Sequence, residues 1–191
     1  MKFITLWQLE LAPWYAFLLY FGISTFRVKR TRTPEDAASR LPHVVLMISA
    51  AVLMFTNGLR IGPLGARFIA QSIWVQSAGI LLTTLGATVA LWARYSLGQY
   101  WSSKIVVKEN HQLIRSGPYA YVRHPIYTGM LLAGVGTAMF IGEWRGILAV
   151  LLAATAEVRK AKKEESLMMT EFGDQYQEYR KHTGFLTPRF R

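Results

Sequence analysis

Ile73-Trp74-Val75-Gln76-Ser77-Ala78-Gly79-Ile80-Leu81-Leu82-Thr83-Thr84-Leu85-Gly86-Ala87-Thr88-Val89-Ala90-Leu91-Trp92-Ala93 runs for 21 residues without a charged side chain. A helix crossing the hydrocarbon of a bilayer needs about 20 such residues, so this stretch predicts a membrane span. Four more apolar stretches are predicted spans on either side of it, at 11–26, 43–59, 126–142 and 146–158. The fifth is short by itself, and Glu157 and Arg159 are expected at or beyond the interface. Glu143-Trp144-Arg145 reads as the tight polar turn of a helical hairpin between the last two spans. Trp7, Trp14, Trp74, Trp92, Trp101 and Trp144 fall near the predicted span ends, where an aromatic belt belongs. Gly79, Thr83, Ala87 and Ala90 recur at helical spacing and predict a face for close helix packing. The expected fold is therefore all-α: one integral membrane domain of about five transmembrane helices, with N-terminal spans at 1–93 and a core at 94–191.

Composition agrees with this reading. Of 191 residues, 52% are apolar and 17% charged, whereas about a quarter are charged in an ordinary soluble domain. The net charge is +11, and position explains it. Segments 27–42, 94–125 and 159–191 hold 18 of the 22 Lys and Arg residues, and alternate loops place all three on one side of the membrane. The positive-inside rule makes that side cytoplasmic and puts the N-terminus outside. The excess charge is assigned to topology and to contact with anionic membrane lipid, not to nucleic acid. Lys2 is alone before the first apolar run, basic residues follow it, and no small-x-small site is evident, so a retained span is expected and not a cleaved signal. There is no cysteine, which removes disulfides, a thiol nucleophile and cysteine-ligated metal. No two histidines are spaced i,i+4, so no metal site is expected. Gly134-Val135-Gly136 lies within an apolar span and is not a dinucleotide fingerprint.

Chemistry concentrates where a polar loop enters the fourth span, at Arg115-Ser116-Gly117-Pro118-Tyr119-Ala120-Tyr121-Val122-Arg123-His124-Pro125-Ile126-Tyr127-Thr128-Gly129. Pro125 suits the first turn of a helix, and arginine or histidine at a membrane border can snorkel. A mere span has no need of so many polar and aromatic groups within a dozen residues, and ionisable residues at such depth mark function by default. The hairpin returns the chain to the same side, so Arg123 and His124 are expected to face Glu164 and Glu165. Taken alone, Glu164-Glu165 also reads as a solvated helix face with pairs such as Lys160 to Glu164.

Gly117-Pro118-Tyr119-x-Tyr121-x-Arg123-His124-Pro125-x-Tyr127-x-Gly129 resembles the signature of isoprenylcysteine carboxyl methyltransferases and related membrane phospholipid methyltransferases. Trp101-Ser102, His111-Gln112-Leu113-Ile114 and Glu164-Glu165-x-Leu167-x4-Phe172-Gly173-x2-Tyr176-x2-Tyr179 resemble that family as well, so the likeness covers roughly residues 92–190. The resemblance implies a membrane enzyme using S-adenosylmethionine in a cytoplasm-facing pocket of the C-terminal half. Carried over by position, His111, Gln112, Leu113, Ile114, Gly117, Tyr119, His124, Pro125, Ile126, Tyr127, Glu164 and Glu165 would bind the cofactor. Arg123, His124, Lys160 and Glu164 would take the catalytic roles, and Arg159 with Lys160 would meet the substrate. Lys160 stands where the family's substrate-facing arginine is expected, and lysine lacks arginine's planar fork.

The expected activity is methyl transfer to a lipophilic small molecule or lipidated acceptor, foremost the carboxylate of a prenylcysteine. A carboxylate is already ionised and needs a cation for alignment, whereas a phospholipid amine needs a base. A phospholipid N-methyltransferase is thus the alternative within this chemistry, and a membrane reductase using NADPH or a non-catalytic scaffold lies outside it. The sequence assigns no oligomeric state.

Overall fold

The computed structural model describes residues 5–28, 37–102, 105 and 112–190. Among them the fold is all-helical, and the only β-pairings are two isolated bridges. Six α-helices follow in order: α1 Leu6–Ser24, α2 Ala37–Phe55, α3 Ile73–Leu97, α4 Pro125–Ile141, α5 Trp144–Phe172 and α6 Asp174–His182. Local chemistry sets their starts. Thr5 and Gln8 form a reciprocal capping box on α1. The Ser72 hydroxyl accepts from the Val75 amide at the head of α3. Pro125 opens α4, where its missing N–H is harmless.

α2 and α3 are long and apolar enough to cross a membrane, and α4 is a shorter apolar helix of 17 residues. Leu18, Leu19, Ile48, Trp74, Leu81 and Leu151 point outwards, each more than half exposed. Polar side chains lie inside instead. Thr83 on α3 and Thr137 on α4 both donate to Oε1 of the fully buried Glu10 on α1, at 2.8 and 2.6 Å. This apolar-out, polar-in arrangement is what a lipid solvent selects.

The α3–α4 seam carries the packing face expected at Gly79, Thr83, Ala87 and Ala90, all of them buried. Gly86 and Gly129 face each other across it. A Cβ on Gly129 would come 2.5 Å from the Gly86 carbonyl oxygen, and one on Gly136 would come 2.7 Å from that of Gly79. The backbones are therefore in near contact, which only small residues permit. Gly142 ends α4 in the left-handed region at φ 71°, where glycine carries no Cβ penalty, and α5 begins two residues later. The hairpin turn, expected at Glu143-Trp144-Arg145, is instead Gly142-Glu143, because Trp144 and Arg145 already lie in α5; it is tied to the preceding loop by Phe68 N to Gly142 O and Trp144 N to Ala66 O.

Three further expectations need revision. The fifth apolar stretch is only the first half of α5, which continues without a break to Phe172. Lys160, Lys162, Lys163, Glu164 and Glu165 are good helix formers, so nothing ends the helix at Val158. Glu157 is not at the interface but 2% exposed. Trp14 is not an outward belt residue: its indole donates to Thr137 at 3.0 Å and its ring packs edge-on to Phe55.

Candidate active site

The loop before α4 is shaped by its own turn and by the end of the chain. Gly117–Ala120 forms a 3-10 turn that buries Pro118 and Tyr119. Gly184, Phe185 and Leu186 then lie along the loop. Arg123 N donates to Gly184 O at 2.9 Å, Gly184 N to Tyr121 O at 3.0 Å, and the Thr128 hydroxyl to Leu186 O at 2.7 Å. From α6, the Tyr179 hydroxyl donates to Tyr119 O at 2.6 Å. Apart from the Thr128 and Tyr179 hydroxyls, these contacts pair backbone with backbone, which leaves no side-chain pattern to read in the sequence.

Behind the strap, α4 and α5 bring the ionisable residues together. Arg123 Nε donates to Glu165 Oε1 at 2.5 Å, with both side chains about nine-tenths buried. Arg123 also donates to the Thr183 carbonyl. The Tyr127 hydroxyl donates to Glu164 Oε1 at 2.6 Å. The His124 ring lies between the two carboxylates, with Nδ1 3.6 Å from Glu164 Oε2 and Nε2 3.4 Å from Glu165 Oε1. It stacks parallel to Tyr127 at 5.6 Å between centroids, and Phe185 closes its edge. The Lys160 ammonium sits 5.4 Å from the centre of the Tyr127 ring, a cation–π distance.

The electrostatics follow from this packing. Burial works against charge on His124, but Glu164 and Glu165 outweigh it and raise the imidazole above its usual value. Burial likewise opposes charge on Glu165, yet His124 and Arg123 hold its carboxyl down to about 2. Glu164 is lowered against its burial by His124, Lys160 and Tyr127. Glu164 and Glu165 are therefore ionised at neutral pH, and their charges bias His124 towards its protonated form.

These side chains open on a cavity of about 450 Å³ between α1, α2, α4 and α5 and the loops beside them. Of the residues singled out from sequence, Gln112, Leu113, Ile114, Tyr119, Arg123, His124, Ile126, Tyr127, Lys160 and Glu164 line it. Glu165 stands behind His124 and Arg123, and Pro125 is buried at the head of α4. Gly117 supports the loop from below, at φ 61° and against Ser96. Arg159 is exposed and borders a small side groove with Arg40, His43, Lys160 and Lys163. His111 lies outside the described residues.

The cavity also contains residues that sequence reasoning passed over. Glu157 lines it one turn before Lys160, and Arg40 and His43 reach it from α2. Glu157, Lys160 and Glu164 recur at i, i+3 and i+7, a helical face that was readable in the sequence. Arg40 and His43 had no such signal, because only tertiary packing brings α2 to α5.

Comparison with known proteins agrees with this geometry. Residues 79–170 match the model of the "Isoprenylcysteine carboxyl methyltransferase (ICMT) family". A protein-S-isoprenylcysteine O-methyltransferase of Schizosaccharomyces pombe is 33% identical over 128 residues, which is 65% of this chain and 53% of that protein. The Rattus norvegicus enzyme of the same name is 27% identical, over 58% of this chain and 40% of its own length. An uncharacterised Bacillus subtilis protein is 30% identical, over 56% of this chain and 60% of its length. The chain thus spans between two fifths and three fifths of these relatives. The matched segment runs from the second turn of α3 to the last turn of α5 and contains both arms of the ring, so it is over the site itself that the chain is similar to this family.

Proposed function

We propose that this protein is a membrane methyltransferase that uses S-adenosylmethionine to methylate a lipophilic carboxylate of the prenylcysteine type. The observation that carries the reading is the Tyr127–Glu164–His124–Glu165–Arg123 ring on the wall of the cavity. A volume of about 450 Å³ suits a small-molecule site, which typically holds roughly 300–1,000 Å³. The donor set fits a cofactor bearing both signs of charge. Glu164 can meet an ammonium or ribose hydroxyls, and the buried His124 Nε2 has no aligned hydrogen-bond partner among the described residues. Gln112, Leu113 and Ile114 offer loop backbone and apolar surface to an adenine.

When bound, that cofactor supplies an electrophilic methyl group. The rest is positioning, because in-line displacement gains most from alignment and exclusion of water. Tyr127 and His124 fix the Glu164 carboxylate, while Arg123 and Glu165 brace His124 from behind. Lys160 holds the acceptor's carboxylate at the cavity wall. His124, biased towards its charged form between two carboxylates, offers less of the neutral imidazole that a general base needs. This favours an acceptor that is already ionised over an amine that must first lose a proton. The described helices support a five-span arrangement with α1 to α5 in the membrane, residues 1–93 as packing spans and 94–191 as the core. The C-terminus and cavity mouth then face the cytoplasm by charge distribution.

Calorimetry on detergent-purified protein tests the cofactor, with NADPH as the contrast. Saturable binding of S-adenosylmethionine, and of no NADPH, is expected. NADPH binding without it would move the reading to a reductase. Methyl transfer to N-acetyl-S-farnesylcysteine and not to phosphatidylethanolamine is the expected outcome for the acceptor.

A further inference from the structure

A separate cavity of about 210 Å³ lies at the hairpin end of the bundle, away from the main one. Arg60, Arg67 and Gln71 reach it from the segment between α2 and α3, and Arg145 from the head of α5, while Phe140 and Ile141 close it from α4. Its charge has no explanation in topology. Segments 27–42, 94–125 and 159–191 take 18 of the 22 Lys and Arg residues. Arg60, Arg67 and Arg145 are three of the four that remain, and all three meet here. Among the described residues Glu143 is the only acid paired with them, so three positive charges stand against one negative, a net of +2.

Donors are left over as well. Both oxygens of Glu143 are occupied, Oε1 by Arg60 Nε at 2.7 Å and Oε2 by Arg145 Nε at 2.6 Å. Arg145 is 2% exposed and directs Nη1 at the carbonyls of Leu53, Met54 and Thr56, but its Nη2 donates to no acceptor among the described residues. Arg60 places Nε and Nη2 on Glu143, which leaves Nη1. The Arg67 backbone is pinned opposite Glu143 by an antiparallel bridge, while its guanidinium has no hydrogen bond or ion pair among the described residues. A buried guanidinium with unmatched donors is costly. Guanidinium groups held in place around a space fit an oxyanion, and paired N–H donors match phosphate geometry. The volume is below the roughly 300–1,000 Å³ of sites for larger ligands, so it suits a headgroup and not a chain. At the same end Ile73, Trp74 and Trp144 are 54%, 81% and 52% exposed, an apolar rim of the kind that sits at a lipid boundary. Gln71 Oε1, buried and unmatched among the described residues, adds an acceptor for a headgroup hydroxyl.

We propose that this cavity binds the phosphate of a phosphate ester, with Arg67, Arg60 and Arg145 as its donors. The apolar rim makes a membrane phospholipid the expected source, and free phosphate shares the same chemistry. None of these residues lines the main cavity, so the site stands apart from the methyltransferase reading.

Three probes test it on the full chain in detergent: dioleoylphosphatidylglycerol and dioleoylglycerol by native mass spectrometry, and inorganic phosphate by calorimetry. The phosphate-bearing lipid should bind about tenfold or more tighter than dioleoylglycerol, as expected for hydrogen bonds to a charged group. Arg67→Gln should bring the two lipids to within about threefold of one another. Because the Arg67 guanidinium has no partner among the described residues, this variant removes no bond of the fold. Lys162→Gln removes the same charge from an exposed position at the other end and should leave the preference within about twofold. A preference that survives Arg67→Gln overturns the proposal. So does one that Lys162→Gln lowers equally, which would be general attraction between a basic protein and an anionic lipid. Equal binding of the two lipids, with saturable binding of inorganic phosphate that Arg67→Gln abolishes, supports the phosphate site and makes free phosphate its source. Equal binding of the lipids with no saturable binding of inorganic phosphate overturns it.

Discussion

The two ends of the bundle each bury an arginine against a glutamate, and they differ in what is left over. At the hairpin end, Arg145 is 2% and Glu143 1% exposed. Arg145 Nε donates to Glu143 Oε2 at 2.6 Å, and its Nη1 donates to the carbonyls of Leu53 and Thr56 at 2.7 and 2.8 Å. Arg60 takes the other oxygen of Glu143. These side chains fasten the end of α2 to the hairpin and are directed at one another. At the other end, Arg123 and Glu165 pair just as closely, but the network continues to His124, Glu164 and Tyr127 on an open cavity wall. Burial of an ion pair does not by itself mark a functional site. What separates the two ends is a cavity of about 450 Å³ against about 210 Å³, and a buried acid, Glu157, with an unmatched oxygen on the wall of the larger, where the smaller has the neutral Gln71 Oε1.

The sharpest way to break this contrast is to remove one arginine from each end. Arg145→Leu leaves Glu143 with Arg60 alone and the carbonyls of Leu53 and Thr56 without their donor, and loss of one partner of a buried pair costs about 3–5 kcal/mol. A large fall in thermal midpoint is expected, with S-adenosylmethionine affinity of the surviving folded protein unchanged within about twofold. Glu164→Ala should do the reverse. Cofactor affinity should drop by more than about 100-fold, roughly 2.7 kcal/mol, while the midpoint moves little. A shared loss of both properties in either variant would dissolve the distinction between the ends.

Acid titration sharpens it further. Glu165 is held down to about 2 in the fold, against an ordinary 4.5. Its contribution is present above 4.5 and is lost as the pH falls from there towards 2, a change on the order of 3 kcal/mol. His124 is raised above its ordinary 6.5, so its contribution is complete below 6.5 and is lost as the pH rises through the raised value. Thermal midpoints followed across pH should decline on both limbs, and His124→Asn should flatten the alkaline one.

The smallest effect concerns the seam between the ends. Gly136→Ala would set a Cβ 2.5 Å from the Thr83 hydroxyl and should cost about 1–3 kcal/mol by overpacking. Two residues earlier, Gly134 has only Val150 Cγ2 within reach, at 3.7 Å, and its replacement by alanine should be nearly neutral in thermal unfolding.

Much of this organisation is legible in the sequence, and for stated reasons. A long uncharged run and small residues at helical spacing predict a packing face on α3, because lipid gives helices little else to pack with, and only the structure shows that α4 meets it. The polar entry to α4 and the acids on α5 point at each other because the hairpin returns the chain to the same side. What sequence reading misplaces is depth. Glu157 follows thirteen helical residues of α5 and reads as interfacial, but α1, α2 and α4 cover it. Trp14 looks like a belt residue until Thr137 claims its indole. The strap of Gly184 to Leu186 is invisible because backbone pairing has no residue signature.

One property of α5 reaches beyond the site. Glu157 and Glu164 ride on a single uninterrupted helix, seven residues apart. At about 1.5 Å per residue, that places them roughly 10 Å apart along its axis. The spacing is set by the hydrogen-bonded ladder of one helix and not by how neighbours pack, so α5 behaves as a ruler with Lys160 as an intermediate mark. Adding or removing a single residue within it would turn one mark about 100° away from the other, and the two ends of a bound pair of ligands would no longer be measured against the same edge.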